Sequence, residues 1–273
     1  MRHPAHQNPI LPHATTAMLQ VARCADFGQP VVPAGPLDKI LSVQAHLSLA
    51  QRQVPEPWRG HRCAPLLIIG SNPSIDPQDD TPRHSDSDAT IVRYFQRGFS
   101  PVFPRKMVRD QVSGDHVPSA RAVTYWIQAR AIAADLWNLD AQELRPGIDF
   151  ALTEVVPYKS KDETGVRKAL QESMRRFWAP RIAVLTAPAI VVLGEFARLA
   201  LGLPRNGITL VNGTAQHGSS EAVISWGGIE RIVITLPHPS ARAKAKAIRN
   251  VFGPSHSAEL AEIARVLRAA RLS

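Results

Sequence analysis

Apolar runs and helical periods alternate along most of the chain. Leu66-Leu67-Ile68-Ile69, Ala151–Val156, Ala189–Leu193 and Glu230–Leu236 are short segments rich in Val, Ile and Leu, each followed by glycine or proline. Such runs predict strands buried on both faces of a sheet. Helical spacing occupies the intervals. Asp38–Gln53 places apolar residues at Ile40, Leu41, Val43, Leu47 and Leu49, and Pro55 and Pro57 stop it. Ser119–Leu139 repeats Val123, Trp126, Ile127, Ala131, Ala134 and Leu136 behind a capping Ser119. Arg167–Trp178 is helical up to Pro180, with Arg181–Thr186 helical or irregular beyond it; Phe196–Leu201 and Ser257–Leu272 are further helices. Residues 1–36, rich in Pro and His, show no sustained period and predict an irregular arm. Pro77–Pro118 predicts a long polar loop interrupted by a helix at Asp88–Arg97.

Strands alternating with helices predict a three-layer α/β/α fold around a central four-stranded parallel sheet. Residues 1–60 form an arm and helix packing on a core domain of residues 61–273, without internal repeats. Ligands of such sheets bind outside the carboxyl ends of the strands. Gly70-Ser71-Asn72, Pro157-Tyr158-Lys159 and His238-Pro239-Ser240 all follow predicted strands, so the three segments are expected to meet at a single site.

With 273 residues, 44% of them hydrophobic, the chain can bury one sizeable core. No apolar run approaches the ~18 residues of a membrane span, and Met1-Arg2-His3-Pro4 does not open a signal peptide. A cytoplasmic protein is expected. Cys24 and Cys63 provide neither a disulfide framework nor the four thiolates of an iron–sulfur cluster, and no Cys/His spacing suits zinc. No metal or cofactor is therefore expected. The net charge of +9 fits a polyanionic partner, because Lys and Arg that meet phosphates release condensed counterions. Acids gather around Asp76–Asp88, whereas Arg242, Lys244, Lys246 and Arg249 crowd behind His238-Pro239-Ser240. Those four are either a phosphate-binding patch or a solvated helix face.

Gly70-Ser71-Asn72-Pro73-Ser74 alone is a turn signal, and a lone histidine is usually structural. Their order, and their placement after the first and fourth strands, resemble the uracil-DNA glycosylase superfamily. Its Gly-x-Asp/Asn-Pro loop is matched by Gly70–Pro73, and its late His-Pro-Ser loop by His238–Arg242. Thr153-Glu154-Val155-Val156 is similar to the strand end that carries the base-reading residue, and the resemblance spans roughly residues 64–250. It implies a monofunctional DNA glycosylase, acting as a monomer on DNA, that extrudes a nucleotide into a pocket and hydrolyses its N-glycosidic bond.

The resemblance also implies roles. His238 donates a hydrogen bond to the O2 of the departing base, aided by main-chain N–H groups of the turn formed by Gly70, Ser71 and Pro73. Asn72 holds the attacking water, as in the mismatch-specific and single-strand-selective branches. Pro239 and Ser240 press on the DNA backbone, and Arg242 stands where family members place the wedge that fills the gap. Ser74, Lys159, Lys161, Lys244 and Lys246 are further candidates for phosphate contact. Phe95, Phe99 and Phe103 are candidates to stack on the base, Phe99 and Phe103 preferred, or else anchors of their loop. Asp76 and Asp79 either assist water activation or belong to a surface loop.

Glu154 departs from the family pattern, because uracil-specific members carry asparagine there. An ionised Glu154 repels O4 of uracil and suits the 4-amino group of a cytosine; a protonated one can donate to N3, and burial favours protonation. Uracil and a modified cytosine both remain open, as does a carboxylate paired with Lys159 or Lys161. The polar loop after Pro77 leaves room for a bulky substituent of the kind that disguises viral DNA. Two other classes stay open: a binding module on a glycosylase fold that does not cut, and an enzyme of free nucleosides or nucleotides.

Overall fold

The computed structural model describes residues 12–29, 32, 34–110, 113–212, 216–217, 223–238 and 248–272. Its centre is a five-stranded sheet. Strands β1 (Leu66–Gly70), β4 (Phe150–Glu154), β5 (Ala189–Leu193) and β9 (Glu230–Leu236) run parallel in the order β4-β1-β5-β9, and β6 (Ile208–Asn212) pairs antiparallel at the edge beside β9. The expected four parallel strands are thus joined by a fifth. Two antiparallel pairs lie outside this sheet: β2 (Arg105–Arg109) with β3 (His116–Ala122), and β7 (Gln216–His217) with β8 (Val223–Ile224).

Side chains that alternate along each parallel strand enter two different cores. Leu67, Ile69, Ile190, Val192 and Val233 share one with helices α1 (Pro12–Ala22), α2 (Ala25–Gly28), α3 (Asp38–Ala45), α4 (Asp88–Arg97), α6 (Val166–Ser173), α7 (Ala179–Val184) and α8 (Glu195–Ala200). Leu66, Ile68, Val191 and Ile234 share the other with α5 (Thr124–Trp137), α9 (Ile248–Phe252) and α10 (Ser257–Leu272). The chain therefore forms three layers, α/β/α, and the strands are apolar on both faces along most of their length because both faces are covered.

Several boundaries differ from those read in the sequence. The N-terminal segment expected to be irregular contains α1, whose Ala14, Ala17, Met18 and Val21 are buried at helical spacing. The helix predicted over Asp38–Gln53 ends at Ala45, and the long helix predicted from Ser119 starts only at Thr124, because β3 claims the preceding residues. Pro180 does not end the helical run. A π-helical stretch at Met174–Trp178 carries the chain into α7, with the proline in its first turn, where a missing N–H is tolerated. Among the described residues no helix is long and apolar enough to cross a membrane.

The strand order reverses at β1: the chain passes first to β4 on one side, then to β5 on the other. Such a switch point leaves a crevice above the carboxyl ends of the strands.

Candidate functional site

A cavity of about 750 Å³ opens at that crevice. Its lining includes Gly70, Ser71, Asn72, Pro73 and Ser74 from the loop after β1, Glu154 from the end of β4, Gly194, Glu195 and Phe196 after β5, and His238 after β9. Of the three segments expected to meet here, the loop after β1 and His238 do so, whereas Pro157-Tyr158-Lys159 does not line the cavity, Tyr158 being buried against Cys24 and Lys159 against Glu56, and Pro239 and Ser240 lie outside the described residues.

The loop after β1 is held by main-chain bonds that extend the β1–β4 pairing. Val155 N–H donates to the Gly70 carbonyl and Val156 N–H to that of Ser71, both at 3.0 Å. The Ser71 hydroxyl donates to Glu163 at 2.6 Å. The Asn72 amide nitrogen donates to Ser160 Oγ at 2.8 Å and to the Pro73 carbonyl at 3.1 Å. A carbonyl can only accept, so this contact fixes which way the Asn72 amide points. Both bonds use the amide nitrogen, which leaves Oδ1 as the group that can accept from a ligand or water.

His238 is brought to the site by Gly194. A Cβ built on Gly194 would lie 3.1 Å from the His238 Cβ, and Gly194 has φ of +88°, so glycine is required on both counts. Burial lowers the His238 pKa below its ordinary value, opposed by the nearby Glu163 carboxylate. A neutral imidazole at pH 7 follows, which donates through a single N–H.

Glu154 lies opposite Gly70 in the β1–β4 register and is 6% exposed. Its carboxylate makes no hydrogen bond to any described residue, while its main-chain carbonyl accepts from Arg181. Burial, and then the negative charge of Glu56, push the carboxyl up to about 8, against the pull of Arg59, Lys159 and Arg181. At neutral pH the group is therefore mainly protonated, offering one donor and one acceptor.

Beneath it lies a buried ion cluster that the sequence did not reveal. The segment carrying Glu56 and Arg59 runs along β4, with Arg59 and Leu152 exchanging main-chain bonds of 2.7 and 2.9 Å. Arg59 donates twice to Glu56, each at 2.6 Å, and the Lys159 ammonium also reaches Glu56. Burial raises the Glu56 carboxyl, but the two cations outweigh it and hold it far below the usual carboxylate range.

Three aromatic residues line the cavity: Tyr125 and Trp126 from the first turn of α5, and Phe196 from α8. The Tyr125 ring is nearly parallel to the His238 ring, 7° between planes and 6.2 Å between centroids. The Tyr125 hydroxyl is buried without a hydrogen-bond partner. It occupies space that only glycine at position 70 leaves open, 2.9 Å from where a Gly70 Cβ would stand.

The predicted site residues separate accordingly. Gly70, Ser71, Asn72, Pro73, Ser74, Glu154 and His238 line the cavity. Phe99 and Phe103 do not: Phe99 is buried against Trp126 and Phe150, and Phe103 stacks on Trp126 with 5° between planes, so both support the wall from behind. Phe95 is fully buried in the other core. Lys159 is 2% exposed and paired with Glu56, so it cannot meet an external phosphate, nor does it pair with Glu154. Lys161 is exposed, next to the lining residues Ser160 and Asp162. Asp79 is not a surface residue: it is buried and paired with Lys106 at 3.0 Å. Pro239, Ser240, Arg242, Lys244 and Lys246 lie outside the described residues. Among the described residues no group of three His, Cys, Asp or Glu side chains is arranged to hold a metal ion.

No family model matches the chain, and no curated protein matches it. Geometry alone must then indicate the chemistry. Five carboxyl-bearing residues line the cavity (Glu56, Glu154, Asp162, Glu163 and Glu195), against Arg59, Lys106 and His238. Of these, Glu56 is offset by Arg59 and Lys159, Glu195 by Arg198, and Glu154 is mainly protonated.

Proposed function

We propose that this protein is a DNA glycosylase that draws an extruded, non-standard pyrimidine nucleotide into the switch-point cavity and hydrolyses its N-glycosidic bond. The observation that carries the reading is the meeting of Asn72, Glu154 and His238 on the wall of one cavity, from loops at the ends of β1, β4 and β9. Heterolysis of the bond leaves an oxocarbenium-like sugar and a base that gains negative charge, largely on O2. A neutral His238 donates an N–H to that charge as it grows, stabilising the transition state more than the ground state. Asn72 Oδ1 accepts a hydrogen bond from the water that attacks C1′ and thereby orients it; the water's proton passes to solvent or to the departing base.

Glu154 reads the base edge. As a neutral acid it can accept from N3–H and donate to O4 of uracil, or donate to N3 and accept from the 4-amino group of a cytosine. Once ionised it can only accept, from N3–H of uracil or from the 4-amino group of cytosine, while its second oxygen is repelled by O4 or by N3. At about 750 Å³ the cavity has room for a base together with its sugar, with or without a ring substituent, and so admits either pyrimidine.

The test is incubation with oligonucleotides that carry uracil, mismatched thymine or substituted cytosines, followed by alkaline cleavage at abasic sites. Strand breaks at one of these bases support the reading. Binding without breaks on any of them points instead to a module that recognises DNA without cutting it.

A further inference from the structure

The pair β2–β3 stands apart from the central sheet. Every residue of β3 except the half-buried Ser119 is exposed, and Lys106, Met107 and Val108 of β2 are half-buried, yet no residue of the ribbon joins either hydrophobic core. An isolated hairpin of this kind is marginal by itself. This one is fixed along the outer edge of β2 by residues 78–80: Asp80 N–H donates to the Met107 carbonyl, Arg109 N–H to the Gln78 carbonyl, and Lys106 pairs with buried Asp79. The fold therefore holds in place a projection that contributes almost nothing to core packing.

The ribbon starts at the cavity. Lys106 in β2 lines it, and β3 runs directly into Val123, Tyr125 and Trp126, which line it too. Along the ribbon Arg105, Arg109 and Arg121 are exposed, and none of them makes a side-chain hydrogen bond or ion pair to a described residue. Arg105 and Arg109 lie four residues apart, roughly 13 Å along a strand, which matches about four nucleotide steps of duplex. The acids Asp110 and Asp115 follow only beyond Arg109, towards the far end. Pro118 removes a main-chain donor from β3, so the ribbon is poorly suited to adding a peptide strand at its edge.

We infer that the β2–β3 ribbon is a second DNA-backbone contact, in which Arg105, Arg109 and Arg121 take phosphates flanking the nucleotide held in the cavity. This rests on the DNA reading above and extends it to a surface outside the motifs that suggested it. The ribbon positions the strand and carries no base specificity, because phosphate contacts are blind to sequence.

The experiment is a salt titration of binding to a fluorescent duplex without any target base. Wild type is compared with R105A/R109A/R121A and with R105K/R109K/R121K. Three lost phosphate contacts should lower the slope of log affinity against log salt by about 2 to 3. The lysine variant should recover most of it, since a point charge meets a phosphate adequately. An arginine-to-alanine variant that melts like wild type yet keeps the wild-type slope overturns the ribbon contact and leaves the cavity reading intact. If wild type itself binds the duplex without salt dependence, both readings fall.

Discussion

Lys159 pairs with Glu56, not with Glu154, although all three belong to one buried cluster below the cavity. Glu56 also accepts two bonds from Arg59 and so takes both cations. Glu154 is left facing the cavity with no cation bonded to its carboxyl group. That division of partners gives the two carboxyls opposite tendencies, one held ionised and the other pushed towards the neutral form.

A neutral Glu154 should behave like an amide. Glu154→Gln keeps one donor and one acceptor, so it should retain base release within about tenfold of wild type. On a uracil-type edge, wild-type release should fall as pH rises through about 8, while the Gln variant stays flat. The stability consequence has a definite sign. The folded-state pKa lies above the ordinary carboxyl value, so the folded protein binds the extra proton and loses stability as pH rises from the ordinary value towards about 8. The melting temperature of Glu154→Gln should therefore gain on wild type across that window. Parallel melting curves at every pH would contradict a protonated Glu154.

Removing Glu56 should be severe. Glu56→Gln leaves Arg59 and Lys159 buried with no anion bonded to them, which costs about 3 to 5 kcal/mol. Chemical denaturation measures it. Lys159→Met, which leaves the Arg59–Glu56 pair in place, should cost less and should not change the salt dependence of DNA binding. A shallower slope in that variant would return Lys159 to the phosphate contacts from which its burial removes it.

The four parallel strands were legible because burial on both faces favours short apolar runs, and the loops carrying Asn72 and His238 were legible because they follow such runs, whereas Lys159, which also follows one, is buried with Glu56. β6 was not legible, since an edge strand tolerates an exposed Leu210 and carries no continuous apolar run. The ribbon was hidden for the same reason taken further: β3 is exposed along nearly its whole length and β2 is only half-buried at its centre, which leaves no apolar period to detect. α1 did carry a signal in Ala14, Ala17, Met18 and Val21, masked by the small alanines and the surrounding Pro and His. At the site, Tyr125 and Trp126 read as ordinary helix residues, and nothing local distinguishes a core aromatic from a cavity wall. Glu56 and Arg59 had one clue, two charges within a short segment of Pro55, Pro57 and Trp58, where an apolar setting forces charges to pair.

Gly194 offers a probe of histidine placement that leaves His238 itself intact. Gly194→Ala adds a Cβ 3.1 Å from the His238 Cβ and strains a backbone at φ +88° and ψ 168°, a region open essentially to glycine alone, by about 1 to 3 kcal/mol. Displacing the donor by a fraction of an ångström to an ångström should slow single-turnover base release by up to about 10²-fold, with DNA affinity little changed. Unchanged release would mean that His238 does not act from the position it holds here.

The most direct test follows the released base by mass spectrometry on whichever oligonucleotide wild type cleaves best, with Asn72→Ala and His238→Ala alongside. Both variants should bind that DNA nearly as well as wild type and release the base about 10² to 10³ times more slowly. Release at the wild-type rate by either variant would contradict the assignment of water positioning to Asn72 or of charge stabilisation to His238.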